Sequence, residues 1–305
     1  MWRLFLNRGG WLSPGGRSQG CVILAALPLV FGVAQPADPL ARLVEQFGQV
    51  YSQGRYADAA GVSAEILAFL QKYRGPLDLD LAANLNNLGS LAYAQGKLEM
   101  VEPFYRKSLE IYQKVLGPED VNVGAVLYNL AGLYVEQGKL GEAARLYQQA
   151  LTIRQARLGE QHPLVAETLN NIGFVYLLQA RYRDAGHTLR KALQIWQKHI
   201  ASGAPYAAIT LNNLARVKTR QGRFAEAESL YRQALEIEEQ VFGKEHPETA
   251  TTLLNLAKLH GMANDTESAI QVTQRAVAIF EKTLGPEDPL TARSQRQLEE
   301  LRWSR

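Results

Sequence analysis

Asparagine returns every 42 residues in this chain, and its side chain can form the same pair of hydrogen bonds at each copy. The five copies are Asn87, Asn129, Asn171, Asn213 and Asn255. A primary amide both donates and accepts hydrogen bonds, so a row of amides suits successive N–H and C=O groups of an extended peptide. Because asparagine is a poor helix former, its regular return within a helical pattern calls for a specific interaction.

Two interpretations of these asparagines stay open at the level of sequence. In the first, the amides contact a bound peptide along a shared surface. In the second, they form hydrogen bonds to neighbouring helices and set the angle between repeats. Both interpretations require the same spacing, so the period does not choose between them.

The other polar residues do not form a pattern typical of catalysis or metal binding. The five histidines have no chelating spacing on one helix, and they are His162, His187, His199, His246 and His260. His162 and His246 occupy equivalent turns, where a helix N-cap explains them better than a metal. We therefore expect no enzyme activity, no cofactor and no metal site.

The units that carry the asparagines each predict two amphipathic helices. In one unit, Leu127, Leu130 and Tyr134 lie on one stripe of a first helix, and Ala143 and Tyr147 lie on one stripe of a second. Glycine at positions 54, 96, 138 and 222 falls between the two helices, with Ala180 and Asn264 in the same place elsewhere. A tight turn there requires a residue that tolerates positive φ.

A strict period of this length predicts stacked supersecondary units. We expect an all-α, right-handed α-solenoid of about six helix pairs over residues 35–303, with a C-terminal capping helix. The expected repeats lie near 39–75, 78–117, 120–159, 162–201, 204–243 and 246–285, and the capping helix at 288–303.

These motifs resemble the tetratricopeptide repeat (TPR), through Leu127, Leu130-Ala131, Tyr134, Ala143 and Tyr147. The period of 42 rather than 34 residues, with its Leu-x-Asn-Leu-Ala/Gly core, is similar to the kinesin-light-chain type of repeat. The resemblance implies a protein-binding scaffold. It also implies that asparagines at the matching places contact extended peptides.

Helical geometry places a second set of residues on the face that carries the asparagines. At 100° per residue, Phe174 and Leu178 share this face in the third unit, as do Arg216 and Arg220 in the fourth and Lys258 in the fifth. We expect a concave surface with an apolar floor and a basic end, which suits an acidic side chain or a C-terminal carboxylate. The alternatives are packing between repeats for the apolar pair and a solvated face with local ion pairs for the cations.

The first 34 residues differ from the rest of the chain. They contain Arg3, Arg8 and Arg17 but no acidic residue, followed by an apolar run from Cys21 to Val33 that is short for a membrane span. This pattern is typical of a signal peptide, which predicts export to a bacterial periplasm or the extracellular space. An uncleaved membrane anchor and a mitochondrial presequence are the alternatives.

The charge of the whole chain, 33 basic against 30 acidic residues, does not favour nucleic-acid binding. The sequence therefore predicts an exported, non-enzymatic scaffold that binds a protein or peptide. The alternative is a membrane-anchored assembly factor for an envelope complex, in which residues 1–34 are retained. The N-terminus of the purified protein distinguishes the two.

Overall fold

The computed structural model describes residues 39–303, which form thirteen helices and no strand. They belong to two compact units, residues 39–160 and residues 161–303. The first unit contains α1 (Pro39–Ser52), α2 (Tyr56–Tyr73), α3 (Leu79–Ala94), α4 (Leu98–Leu116), α5 (Val121–Glu136) and α6 (Leu140–Leu158). The second contains α7 (Pro163–Leu178), α8 (Tyr182–Lys198), α9 (Ile200–Arg220), α10 (Phe224–Val241), α11 (Pro247–Met262), α12 (Thr266–Leu284) and α13 (Pro289–Trp303).

Within each unit, consecutive helices pack as pairs, and first helices also contact one another. In the first unit α3 packs on α4 and α5 on α6, while α3 also touches α5. In the second unit α9 packs on α10 and also touches both α7 and α11. This all-helical arrangement of successive pairs confirms the predicted fold class.

The turn inside each pair has the backbone geometry that the sequence predicts. The glycines at 54, 96, 138 and 222 have φ between 72° and 74°, and Ala180 and Asn264 have φ of 59° and 60°. The residue after each of them closes the helix; for example, the N–H of Lys139 donates to the carbonyl of Tyr134 at 2.8 Å. This bond pattern requires the left-handed conformation at the preceding residue.

Replacing Ala180 with glycine is expected to stabilise the protein by about 1 kcal/mol, because alanine at positive φ carries a steric cost that glycine lacks. The urea midpoint of unfolding, followed by far-UV circular dichroism, measures the change. Gly138→Ala, at the equivalent turn of the other unit, is the matched reversal and should destabilise by a similar amount. A lower midpoint for Ala180→Gly would contradict this explanation.

The turns between pairs combine a left-handed glycine with a side-chain cap. Gly117, Gly159, Gly243 and Gly285 have φ from 85° to 91°. The residue three positions after each glycine is the N-cap of the next helix, and its side chain accepts from the backbone N–H two residues beyond it. The donor–acceptor distances are 2.8 Å to Asp120, 3.1 Å to His162, 3.2 Å to His246 and 2.8 Å to Asp288. The histidines accept through Nδ1, so the prediction that they cap helices is confirmed.

Two junctions differ. Between α2 and α3, Gly75 is not among the glycines with positive φ, and the Asp78 side chain accepts from the N–H of Leu81, three residues further on. The junction between α8 and α9 differs more, and the sequence explains why. Between α8 and α9 the only non-helical residue is His199, so α9 begins at Ile200 rather than at the expected repeat boundary near 204. The position that is glycine at the other junctions is Ala201 here. Without a residue suited to positive φ, the usual stop signal is missing, and helix continues through Pro205.

The core depends on small residues where the two helices of a pair approach closely. A Cβ added to Gly89 would lie 2.6 Å from the Tyr105 ring, and one added to Gly173 would lie 2.6 Å from Cγ of Leu189. Ala131 occupies the corresponding place in α5 and is fully buried. The Leu-x-Asn-Leu-Ala/Gly motif therefore specifies a close contact between α-helices as well as a position for asparagine.

Residues 1–34, with the predicted signal segment and Cys21, lie outside the described residues. Between residues 39 and 303, none of the helices is sufficiently long and apolar to cross a membrane.

Candidate functional site

The repeated asparagines of the first unit lie half-buried at a contact between first helices. Nδ2 of Asn129 in α5 donates to Oδ1 of Asn86 in α3 at 3.0 Å. Asn86 immediately precedes Asn87, the equivalent of Asn129 in α3, so the bond joins adjacent positions of neighbouring repeats. Asn129 therefore holds two first helices in register, as the second interpretation of the asparagines requires.

The second unit repeats this bond at the same separation of 43 residues. Nδ2 of Asn213 in α9 donates to Oδ1 of Asn170 in α7 at 3.1 Å, and Asn170 donates weakly to the neighbouring Asn171 at 3.4 Å. Asn213 is 3% exposed and Asn255 is 1% exposed, whereas Asn171 is half-buried.

The expectation that all five asparagines face an open surface is therefore wrong for Asn213 and Asn255. A helical projection takes into account only the contact between each first helix and the second helix of the same pair. First helices also contact one another, and α9 touches both α7 and α11. That contact covers part of the face opposite the core. Contact between the asparagines and a peptide stays a prediction.

A buried carboxyl group lies beneath this face, and the sequence offered no signal for it. Oε1 of Glu238 in α10 accepts from Nδ2 of Asn212 at 3.1 Å and from the Thr252 hydroxyl at 2.9 Å. Its other oxygen has no hydrogen-bond partner. Burial raises the pKa of Glu238 to about 8, because removal from water disfavours the charged form. Asn212 also donates to the Thr252 hydroxyl of α11 at 2.9 Å and therefore links two helix pairs within the second unit.

Arg216 is buried, which corrects the expectation that it lines an open basic wall. Its side chain is 5% exposed, and its guanidinium lies 5.1 Å from the centre of the Phe174 ring. Nη1 donates to Oδ1 of Asn213 at 3.3 Å, while Nε has no hydrogen-bond partner. Burial, with a smaller contribution from Arg220, lowers the pKa of Arg216 to about 10.

The remaining predicted cations lie close to Arg216 and belong to several helices. Burial lowers the pKa of Lys258 in α11 to about 8, and the positive charges of Arg220, Arg216 and Arg293 lower it further. Arg293 comes from α13, and burial lowers its pKa as well. We call Arg216, Arg220, Lys258 and Arg293 the basic cluster.

Arg293 was not among the predicted cations, because it lies on the capping helix and not on a first helix of a repeat. The signal was available, since Arg293 lies 42 residues after Thr251 and 84 after Ile209, two residues on the asparagine face. The capping helix therefore contributes a charge to the predicted surface in addition to covering the last repeat.

The apolar residues of the predicted surface differ in exposure. Phe174 is half-buried and packs against the cluster formed by Leu177, Leu189 and Leu214, whereas Leu178 is 42% exposed. Phe174 thus combines packing with the cation–π contact to Arg216, and Leu178 offers apolar surface to solvent.

The corresponding face of the first unit has little charge. Glu136 in α5 is half-buried and accepts from Tyr93, and burial raises its pKa to about 7. The Ser90 and Tyr105 hydroxyls lie 3.1 Å apart on the same side. Among residues 39–303 there is no group of three histidine, cysteine, aspartate or glutamate side chains able to hold a metal.

Comparison with known proteins agrees with this architecture. A family model described as tetratricopeptide repeat matches residues 40–114, 80–156, 122–198 and 206–282. A search of curated proteins found no significant match.

Solved structures with similar folds include kinesin-light-chain-like proteins. BtubC (BKLC) from P. vanneervenii superposes with a TM-score of 0.58 at 22% identity, covering 82% of this chain and 94% of that one. A putative kinesin light chain from Podosopora anserina superposes with a TM-score of 0.56 at 22% identity, covering 68% of this chain and 98% of that one. The apo form of RapI superposes with a TM-score of 0.62 at 16% identity, covering 86% of this chain and 97% of that one.

At these identities the structures support the fold alone, while the family model covers well over half of the chain. Repeats of this kind typically act as non-enzymatic scaffolds for protein–protein interaction. The chain thus belongs to the tetratricopeptide repeat family.

Proposed function

We propose that this protein is a non-enzymatic scaffold that captures an extended, acidic segment of a partner protein. The segment lies on the first-helix face of residues 161–303, which is the side of α7, α9 and α11 that carries the repeated asparagines. Its acidic side chain or C-terminal carboxylate binds at the basic cluster. The observation that carries the proposal is the gathering of Arg216, Arg220, Lys258 and Arg293 from three helices.

Gathering like charges in one place has an energetic cost. Burying a guanidinium removes it from water, and a neighbouring cation adds repulsion. Arg216 carries both costs, and its Nε has no partner within the described residues. A bound carboxylate would offset this repulsion with charge-assisted hydrogen bonds, which are stronger than neutral ones.

The surface beside the basic cluster suits the rest of an extended segment. Leu178 is exposed and Phe174 is half-buried, so both offer apolar contacts, and the half-buried Asn171 lies on the same helix, α7. Asn171 remains the amide of this unit best placed to meet a peptide backbone, because Asn213 and Asn255 are buried. Asn213 instead positions the Arg216 guanidinium.

The test is binding of fluorescein-labelled peptides that differ only in one acidic residue or in C-terminal amidation, followed by fluorescence anisotropy. Lys258→Met should weaken binding of the acidic peptide by about tenfold or more, since a hydrogen bond to a charged group contributes about 1.5–3 kcal/mol. Lys258 is half-buried, so methionine keeps most of its packing.

The matched control is Lys244→Met, an exposed position outside the cluster, which changes the net charge equally. Affinity for the acidic peptide should also fall above about pH 8, because Lys258 then loses its proton. Equal weakening by Lys258→Met and Lys244→Met, or equal binding of acidic and neutral peptides, would refute the proposal.

Export of the scaffold is the second part of the proposal and rests on residues 1–34 alone. A mature protein that starts near Gln35 in the exported fraction supports it. An intact Met1 in the membrane fraction supports the alternative, a membrane-anchored assembly factor whose helical surface docks subunits of an envelope complex. Mass spectrometry of the N-terminal peptide distinguishes the two.

A further inference from the structure

A cavity of about 300 Å³ opens between α8, α9 and the turn that leads into α10. Its floor is apolar, because Leu214 and Val217 are almost completely buried there, and the Tyr182 side chain forms one wall. This volume is at the lower end of the range for small-molecule sites. The cavity therefore has space and apolar surface for a compact organic group.

The rim of this cavity is positively charged. Arg183, Arg190, Lys218 and Arg223 line it, and no acidic side chain does. Beyond the lining, Glu226 accepts from Lys218 at 2.8 Å and from Arg223 at 2.5 Å, and among the described residues it is the one acidic partner of both. Arg183 and Arg190 form no ion pair within residues 39–303. Three positive charges therefore remain after Glu226 is counted.

The repeat accounts for only part of this charge. The places of Arg190 and Arg223 are also basic in a neighbouring repeat, at Arg232 and Arg181. The places of Arg183 and Lys218 are taken by Gly141 and Tyr176 in the preceding repeat and by Ala225 and His260 in the following one. A device that served only the packing of helix pairs would recur with the period. Arg183 and Lys218 therefore make this cavity more cationic than the repeat motif requires.

A glycine keeps the cavity open between α8 and α9. A Cβ at Gly186 would lie 3.5 Å from Nη1 of Arg190 and 3.7 Å from Cγ1 of Val217, which are ordinary contact distances. Longer side chains at this position would extend into the cavity. Lys218 is 13% exposed, so its charge is held at the cavity and does not extend into solvent.

We propose that this cavity is a second ligand site, separate from the first-helix face, and that it binds a small organic phosphate. The phosphate dianion contacts the arginines of the rim, which can bind its oxygens bidentately. The organic part rests on Tyr182, Leu214 and Val217. A phosphate monoester matches the excess of positive charge better than a single carboxylate does, because it carries nearly two negative charges at neutral pH.

The experiment is isothermal titration calorimetry of the whole protein with phenyl phosphate at constant ionic strength. We expect saturable binding at one site with a Kd near or below about 1 mM. Inorganic phosphate, which lacks the apolar part, should bind at least about threefold more weakly, and phenol should not bind. The double variant Arg183→Gln, Arg190→Gln should weaken phenyl phosphate by about tenfold or more.

Two controls separate the site from general attraction of anions. Arg232→Gln with Lys244→Gln changes the net charge equally at exposed positions outside the cavity and should leave binding unchanged. Gly186→Met keeps every charge but fills the cavity, and should reduce binding as strongly as the arginine variant. No saturation by about 10 mM phenyl phosphate, equal loss in the control pair, or full binding by Gly186→Met would each overturn the proposal.

The source of the phosphate group is decided by a second titration, with a short peptide that contains phosphotyrosine. Tighter binding of that peptide than of phenyl phosphate assigns the group to a phosphorylated protein. Weaker binding assigns it to a free small molecule. Both results retain the phosphate site, whereas binding of the unphosphorylated peptide with equal affinity would overturn it.

Discussion

The unit formed by residues 161–303 is expected to become less stable as the pH rises from about 5 to about 8, because Glu238 is buried and must ionise. Burial raises its pKa from the ordinary 4.5 to about 8. Between these two values the folded state binds more protons than the unfolded state, so the free energy of unfolding falls with increasing pH. Each pKa unit corresponds to about 1.4 kcal/mol, which gives a change on the order of 4 kcal/mol.

The variant Glu238→Gln should lose this pH dependence. A glutamine Oε1 can still accept from Asn212 and Thr252, as the carboxyl oxygen does, but the side chain no longer ionises. Urea unfolding at a series of pH values, followed by far-UV circular dichroism, measures the slope. Glu236→Gln, on the same helix but exposed, is the control and should retain the slope of the wild type.

Glu136 in the other unit contributes to the pH dependence of stability over an overlapping pH range. Its pKa of about 7 predicts a loss of stability between about pH 4.5 and 7, so the comparison is best repeated in a Glu136→Gln background. A slope for Glu238→Gln equal to that of Glu236→Gln would show that the buried carboxyl does not control the pH dependence.

Replacing Gly173 with alanine should destabilise the same unit by about 2 kcal/mol, although alanine is the better helix former. The new Cβ would lie 2.6 Å from Cγ and 2.8 Å from Cδ2 of Leu189, with the carbonyl oxygen of Ala185 at 3.4 Å. Real Cβ atoms essentially never come this close, so either the Leu189 side chain must leave its position or α7 and α8 must move apart. The urea midpoint of unfolding reports the loss.

The matched control is Gly61→Ala, in the interior of α2 with nothing within 4 Å of the added Cβ. It should stabilise by about 0.5–1 kcal/mol through helix propensity alone. A double-mutant cycle tests the cause, because Leu189→Ala should cost less in the Gly173→Ala background than in the wild type. Strictly additive effects would rule out the clash with Leu189.

The turns and caps were predictable because their causes are local. Ala180 and Asn264 were expected at positive φ from their place in the period, and His162 and His246 were expected as N-caps; the structure has both features. Each depends on a few consecutive residues and on backbone hydrogen bonds within one turn. The early start of α9 follows the same rule, since Ala201 replaces the positive-φ glycine that ends α4, α6, α10 and α12.

The surface was only partly predictable, because burial depends on more than one helix pair. Projection of α9 placed Asn213, Arg216 and Arg220 on one face, and that geometry holds. Whether a side chain on that face meets solvent depends on α7 and α11, which come from repeats 42 residues away on either side. Arg216 is therefore buried against Phe174, although its position in the helix is the one predicted.

The sequence by itself determined the class of fold, the pairing of helices and the residues that share a helix face, because the 42-residue period, the glycines and the capping residues act through local backbone geometry. Only the tertiary structure decided which of those residues are accessible and which are joined. It placed Asn129 and Asn213 in bonds between first helices, gave Glu238 its raised pKa and brought Arg293 to Lys258. Burial and electrostatic interaction depend on the distances between helices, and packing alone sets those distances.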